Sequence, residues 1–127
     1  KAAGGVLAEE GSHKWAWGND VPNDTLTNFN RNIGRTTPVG NYSASASPYG
    51  AWDMTGNVWE WVSDEYDSNY YASSPRENPV GPLSYGAKVV RGGSWLNTAQ
   101  NIRVRNRDGS DAFNRDNNVG FRCARSP

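Results

Sequence analysis

The sequence predicts a small α+β domain that is rich in loops, with one small antiparallel sheet and little helix. Seven prolines and 14 glycines are spread along the 127 residues and interrupt helical periodicity. Short segments in which apolar and polar residues alternate are typical of strands. Only 35% of the residues are apolar, but six Trp, six Tyr and three Phe can fill a compact core. The length fits a single domain over residues 1–127.

In chain order, the expected elements are a short helix within 1–10, loops over 18–50, a strand over 57–66, a strand over 88–95, a strand over 101–107, an exposed loop over 108–118 and a strand over 119–125. The strand over 57–66 places Trp59 and Trp61 on one face, from which they are expected to fill the core. The strand over 101–107 would place its three arginines, Arg103, Arg105 and Arg107, on one face.

Composition excludes several kinds of site within a monomer. Because Cys123 is the single Cys and His13 the single His, a disulfide framework, a cysteine-based zinc cluster, a histidine-based metal centre and a Ser-His-Asp relay are not expected. No apolar run is long enough to span a membrane. No signal peptide is recognised in this chain. The localisation therefore stays open, with surface display or association with a virion as the settings considered.

Charge is unevenly distributed although the net charge is zero. Residues 1–87 carry five basic and ten acidic side chains, whereas residues 88–127 carry eight basic and three acidic ones. The arginines of 101–107 suggest a nucleic-acid groove. Against this, Lys is scarce and the acidic residues of 1–87 are available to pair with these arginines, so no nucleic-acid partner is expected.

Five motifs together resemble the sulfatase-modifying-factor family, which is named for the formylglycine-generating enzyme. They are 15-WAWGND-20, 36-TTPVG-40, 49-YGAWDMTGNVWEWVSD-64, 90-VRGGSW-95 and 119-VGFRCAR-125. The resemblance implies a variant of the C-type lectin-like fold. Gly92 and Gly93 are expected to adopt backbone conformations that side chains disfavour.

The resemblance does not extend to the catalytic residues of the formylglycine-generating enzyme. The two cysteines of that enzyme correspond to Asn97 and Ile102, neither of which can form a thiolate. A related branch of the family makes sulfur–carbon bonds with iron held by several histidines, which this chain lacks. Cys123 corresponds to a scaffold position and is expected to be buried as a small hydrophobe. The chain is therefore predicted not to be an enzyme.

The stretch 53-DMTGNVWE-60 resembles a calcium site of the family. The resemblance assigns the side chains of Asp53 and Glu60 and the carbonyls of Gly56 and Val58 as ligands. Carboxylates and carbonyls are suitable donors for Ca²⁺, with water completing the coordination. Alternatively, Asp53 and Glu60 cap and solvate the turn. Calcium is the one cofactor expected, and no other is.

The segment from about 90 to 127 resembles the variable region of proteins encoded by diversity-generating retroelements. In those systems the end of the gene is rewritten by mutation at adenines, and the template often reads Asn at mutable sites. The chain matches the expected framework at 92-GGSW-95, 100-QNIR-103, 106-NR-107, 114-NR-115 and 117-NNVGFR-122. Every residue assigned as variable can be reached from an Asn codon by changing its first two bases. These nine variable positions are Leu96, Asn97, Thr98, Asp108, Gly109, Ser110, Asp111, Phe113 and Asp116.

The combined prediction is a non-catalytic ligand-binding domain that displays a diversified C-terminal surface to a protein or another macromolecule. Loops on a rigid scaffold are suited to such recognition. Leu96 and Phe113 are expected to be exposed apolar anchors and Asp108 an exposed polar contact; the alternative is a plain polar loop with Phe113 folded into the core. The main alternative function is a formylglycine-generating-enzyme-like domain with an enzymatic or structural role. A calcium-dependent carbohydrate binder is a third class, suggested by the fold name alone.

Overall fold

The computed structural model describes residues 13–83 and 86–124, most of which lie in turns and loops. The strands are β1 (Trp59–Glu65), β2 (Ala87–Arg91), β3 (Arg107–Asp111) and β4 (Val119–Gly120), and the helix is α1 (Tyr70–Ser73), with a 3₁₀ turn at Ser43–Ser45. The strands form one sheet in the order β3-β2-β1-β4. This loop-rich architecture with little helix confirms the predicted fold class. The helix predicted within 1–10 lies outside the described residues.

β1 forms where the alternating pattern predicted it. It pairs antiparallel with β2, with Trp61 opposite Val90, and the register shifts between Trp61 and Glu65. Trp59 is buried, as predicted, whereas Trp61 is only half-buried. In β2, Val89 and Val90 are both buried. The two central strands thus supply the apolar side of the sheet.

The strand predicted over 101–107 is wrong, because this segment consists of successive turns. Asn101 and Ile102 both donate their backbone N–H to the carbonyl of Thr98, and Asn106 donates to that of Arg103. These local bonds replace a strand ladder. Ile102 is fully buried and Val104 is half-buried, whereas Arg103 and Arg105 are exposed, so the alternation in exposure is real but is produced by turns and not by a strand.

β3 lies instead at Arg107–Asp111, so it begins at the last residue of the predicted strand over 101–107 and continues into the predicted exposed loop over 108–118. It pairs antiparallel with β2 over five residues, from Arg107 opposite Arg91 to Asp111 opposite Ala87. The sequence RDGSD has little intrinsic strand preference. Its conformation follows from pairing with the free edge of β2, so tertiary context overrides local propensity here.

The closing strand β4 is shorter than the predicted strand over 119–125. It also runs parallel to its neighbour β1, whereas the predicted sheet was antiparallel. β4 has only two residues and pairs parallel with β1, Val119 opposite Trp59 and Gly120 opposite Glu60. The sheet is therefore mixed, with two antiparallel pairings and one parallel pairing. Cys123 follows the strand and is exposed, which corrects the expectation that it is buried.

Large aromatic and aliphatic side chains from distant segments form the core. The buried residues among them are Trp15, Tyr42, Trp59, Val89, Val90, Trp95 and Ile102. Buried polar side chains hold the loops in place beside them: Asn28 donates from Nδ2 to the carbonyl of Arg35 at 2.8 Å and to Oδ1 of Asn57 at 3.2 Å. These hydrogen bonds from the Asn28 amide hold the loops against the core.

Candidate binding surface

The segment that precedes the variable positions is fixed to the core by two glycines and their neighbours. Gly92 and Gly93 have φ of +88° and +72°, which confirms the predicted unusual backbone. A Cβ on Gly93 would lie 2.6 Å from Cγ2 of Ile102. Ser94 is completely buried, and its Oγ is within 3.3 Å of Nδ2 of Asn118. The start of the segment is thereby tied to the residues just before β4.

None of the nine variable positions is buried. Thr98, Asp108, Asp111, Phe113 and Asp116 are exposed, and Leu96, Asn97, Gly109 and Ser110 are half-buried. In contrast, the framework residues Ser94, Trp95 and Ile102 are buried. The framework therefore faces the core, while the positions assigned as variable reach solvent wholly or in part.

The turn after β3 presents an aromatic side chain to solvent. Phe113 is 90% exposed, so it does not fold into the core. Asp111 accepts the Phe113 N–H on its Oδ1 at 2.9 Å, and the carbonyl of Asp111 accepts the Asn114 N–H at 2.9 Å. Nδ2 of Asn114 in turn donates to Oδ2 of Asp116 at 2.7 Å. Short-range bonds of the Asx type thus hold the turn that carries Phe113.

Two variable positions have structural constraints that the sequence did not indicate. Oδ1 of Asn97 accepts the backbone N–H of Ser94 at 3.0 Å and its hydroxyl at 2.7 Å. A Cβ on Gly109 would lie 2.6 Å from Cδ1 of Tyr66. Leu96 was expected to be an exposed anchor, but it is half-buried. Asn97 and Gly109 are therefore more constrained than Phe113, and Leu96 is less accessible than Phe113.

The two positions that the resemblance assigns to the catalytic cysteines lie in different surroundings. Asn97 is half-buried and caps the turn at Ser94, whereas Ile102 is fully buried against Gly93. At neither position does the described chain provide a thiol. Cys123, the one thiol of the sequence, belongs to the chain after β4.

Two of the four proposed calcium ligands, the carboxylates of Asp53 and Glu60, have hydrogen-bond partners within the protein. Arg122 donates from Nε to Oε2 of Glu60 at 2.5 Å and from Nη2 to Oε1, and it also binds the carbonyls of Trp52 at 3.0 Å and Asp53 at 3.1 Å. The hydrogen bond to Glu60 raises the pKa of the Arg122 guanidinium above its ordinary value. Oδ2 of Asp53 accepts the N–H of Gly40 at 2.7 Å.

In this arrangement Arg122 competes with a calcium ion for Glu60. The guanidinium already supplies positive charge to this carboxylate, and a second cation there would have to displace it. The residues assigned by the resemblance, Asp53, Gly56, Val58 and Glu60, therefore remain a prediction that needs a binding measurement.

The three arginines of 101–107 do not share a face. Arg107 stacks on two tyrosine rings, 4.9 Å from the centroid of Tyr66 and 4.4 Å from that of Tyr71, and its Nη2 donates to the carbonyl of Asp67 at 2.8 Å. Arg103 and Arg105 lie instead beside His13 and Lys14. Turn formation at 101–106 separates the arginines, and sequence spacing gave no sign of these long-range partners.

Comparisons with known proteins agree with this fold. A family model described as "Sulfatase-modifying factor enzyme 1-like domain" matches residues 1–127. The chain is 41% identical over 92 residues to the formylglycine-generating enzyme of Streptomyces coelicolor, covering 70% of this chain and 29% of that protein. It is 36% identical over 88 residues to hercynine oxygenase of Mycolicibacterium smegmatis, covering 65% of this chain and 21% of that protein. The chain thus spans less than a third of either relative.

A solved structure provides the third comparison. Treponema denticola variable protein 1 is similar at a TM-score of 0.73 and 28% identity, covering 94% of this chain and 41% of that chain. Enzymes and a variable protein therefore both resemble this chain. Within the described ranges, no helix has the length and apolar character needed to cross a membrane. The chain belongs to the sulfatase-modifying-factor family, and its resemblance to variable proteins on the same fold is confirmed.

Proposed function

We propose that this chain is a non-catalytic ligand-binding domain whose C-terminal segment is a diversified surface for a protein or another macromolecule. The observation that supports this most directly is that the segment from 92 to 118 is divided into buried framework residues and accessible variable positions. Framework residues such as Ser94 and Ile102 are completely buried, whereas all nine variable positions are exposed or half-buried. Such a division allows side chains to change while the backbone keeps its packing.

Recognition would combine an apolar anchor with polar contacts. Phe113 offers an almost fully exposed ring at the end of β3, and exposed aromatic side chains supply large contact area at low entropic cost. Asp108, Asp111 and Asp116 surround it in sequence and are exposed, so this version of the surface is locally acidic. A partner with a basic surface and a pocket for an aromatic ring would complement it.

The absence of catalysis is part of the proposal. The chain has Asn97 and Ile102 where the resemblance places the two cysteines of the enzyme, and Ile102 is inaccessible. The fold itself does not decide whether the chain is catalytic, since similar proteins include enzymes and a variable protein. Activity has to be inferred from the residues at the site.

The DNA flanking the coding sequence tests the retroelement part of the proposal. We expect a reverse-transcriptase gene and a near-copy of codons from about 90 to 127. That copy should differ from the coding sequence only at adenines and should read Asn at most of the nine variable positions. If sequencing finds neither gene nor near-copy, or finds differences at other bases, the diversified surface loses its basis.

A second candidate function is favoured by the 41% identity to a formylglycine-generating enzyme. An enzymatic domain of that kind would consume oxygen with a cysteine-containing sulfatase peptide as substrate. We expect no uptake above the rate of a matched peptide in which Ser replaces Cys. Uptake that depends on the peptide's cysteine would contradict the non-catalytic function, whatever the flanking DNA contains.

A further inference from the structure

Basic side chains from two distant segments meet on one side of the domain. His13, Lys14, Arg103 and Arg105 line a groove of about 250 Å³. The same two arginines also line an adjoining groove of about 360 Å³, together with Gln100, Asn101 and Asn106. We call the two together the basic groove. Its walls combine cationic groups with side-chain amides, and the described residues contribute no Asp or Glu to them.

Backbone contacts hold the groove in shape. The N–H of Val104 donates to the carbonyl of Lys14 at 2.9 Å, which joins the two segments. The carbonyl of Val104 accepts Nη2 of Arg91 at 2.5 Å, so β2 supports the turn from beneath. Nδ2 of Asn106 donates to the carbonyl of Asn101 at 2.8 Å. These contacts join the groove to the folded scaffold, and none of the nine assigned variable positions lines it.

The positive charge of the groove is not balanced within the described part of the chain. The ion pairs found there join Lys88 to Glu65 and Arg122 to Glu60. Lys14, Arg103 and Arg105 have no carboxylate oxygen within 4.0 Å among the described residues. Like charges held together without counter-charges destabilise one another, and an external anion would relieve this repulsion.

His13 adds a further polar group. Its Nδ1 is buried and has no hydrogen-bond partner among the residues that the structure describes. A buried ring nitrogen without a partner is costly. Among the described residues, the groove combines this polar atom with positive charge that no carboxylate balances, which favours an anionic ligand with hydrogen-bonding oxygens.

We propose that the basic groove binds the phosphate group of a small phosphomonoester. Arginine side chains present forked N–H donors that match phosphate oxygens, Lys14 supplies a compact charge, and the amides of Asn101 and Asn106 supply neutral hydrogen-bonding groups. A nucleic-acid strand fits less well, because apart from His13 no aromatic side chain lines the described groove to stack on bases. The proposal does not depend on the diversified surface.

Titration calorimetry on the purified chain tests this binding. The probes are glucose 6-phosphate, inorganic phosphate, glucose, and a single-stranded oligonucleotide as the competing class. We expect the sugar phosphate to bind, inorganic phosphate to bind more weakly, and glucose not to bind. Raising the salt concentration should weaken binding, because the contacts are charged and partly exposed.

Variants identify where the anion binds. Arg103→Gln combined with Arg105→Gln should weaken glucose 6-phosphate binding by about tenfold or more. Arg115→Gln is the matched control, since Arg115 is exposed and does not line the groove. An unchanged melting temperature establishes that the double variant is folded. Binding of the oligonucleotide alone, no binding of either phosphate, or an equal loss in Arg115→Gln would each overturn the proposal.

Discussion

Arg122 binds Glu60 through two of its nitrogens and so joins the chain after β4 to the start of β1. The same guanidinium donates to the carbonyls of Trp52 and Asp53. One side chain therefore connects a strand, a turn and the C-terminal segment. In the arrangement implied by the family resemblance, a calcium ion would lie between Asp53 and Glu60. Here a protein cation binds the carboxylate of Glu60.

Removing this guanidinium should destabilise the fold. Arg122→Gln loses charge-assisted hydrogen bonds and leaves a carboxylate that is 19% exposed without its partner. Because Arg122 is itself 40% exposed, we expect a loss of roughly 1–2 kcal/mol in the free energy of unfolding. Urea denaturation checks this, with Arg115→Gln as a control that should change little. A loss in the control equal to that in Arg122→Gln would show a general charge effect.

The contact between Arg122 and Glu60 leads to a prediction about calcium. Because the Arg122 guanidinium binds the Glu60 carboxylate, millimolar CaCl₂ or a chelator should leave the melting temperature of the wild type unchanged. A bound ion would instead raise it with concentration, because a ligand of the folded state stabilises that state by mass action. Differential scanning fluorimetry distinguishes the two. A calcium-dependent increase in the wild type that Glu60→Gln abolishes would restore the calcium site at Asp53 and Glu60.

Phe113 should contribute to binding and not to stability. Its ring is 90% exposed, so Phe113→Ala should change the free energy of unfolding by less than about 0.5 kcal/mol. Ile102→Ala provides the contrast, since loss of a fully buried side chain should cost about 2–5 kcal/mol. Equilibrium unfolding measures both. A destabilisation by Phe113→Ala comparable to that of Ile102→Ala would place Phe113 in the core.

Although Gly109 is assigned as a variable position, substitution there should destabilise the fold. In Gly109→Ala the new methyl group would meet Cδ1 of Tyr66 at 2.6 Å, and Tyr66 lies under the guanidinium of Arg107. Displacing the ring should cost about 1–3 kcal/mol and shift the aromatic NMR signals of Tyr66. Ser110→Ala, on the same strand, should be nearly neutral. Equal stability of the two variants would mean that the ring moves freely.

The contact of Glu65 with Lys88 should make part of the stability depend on pH. Nζ of Lys88 lies 2.5 Å from Oε1 of Glu65, and this hydrogen bond lowers the pKa of the Glu65 carboxyl below its ordinary value of 4.5. Folding therefore favours the ionised form. The stabilisation is present above the ordinary pKa and is lost as the pH falls through the lowered value.

Comparing variants isolates this contribution. The difference in melting temperature between the wild type and Lys88→Gln should shrink as the pH falls from about 7 to about 3. Part of the difference should persist at low pH, because Lys88 also donates to the carbonyl of Ser63 at 2.9 Å. In a Glu65→Gln background the effect of Lys88→Gln should not vary with pH. A pH-dependent effect in that background would assign the titration to another group.

Local patterns predicted those parts of the fold that local physics determines. The alternating pattern around Trp59 predicted β1, although burial along the strand falls off toward its end and does not alternate residue by residue. Gly92 and Gly93 were identified because positive φ disfavours side chains. β3 could not be found in this way, because Asp108 and Gly109 are weak strand formers that pair only where the edge of β2 is free.

The candidate site was predictable in outline and not in its contacts. Codon reasoning identified positions that are exposed or half-buried, but it could not show that Asn97 caps a turn or that Gly109 touches Tyr66. Arg122 and Glu60 are 62 residues apart, and Arg107 and Asp67 are 40 apart. No local period relates such pairs, so only the folded chain reveals them.

The pairing of β3 with β2 limits how the length of this surface segment can change during evolution. The segment leaves β2, returns along its edge as β3, and then reaches β1 through β4. Because a slip of one residue in β3 would turn each of its side chains to the opposite face, an insertion or deletion within Arg107–Asp111 would disrupt the pairing with β2. Substitution at constant length avoids this. The topology thus favours a repertoire of variants that share one length and differ only in the identity of their side chains.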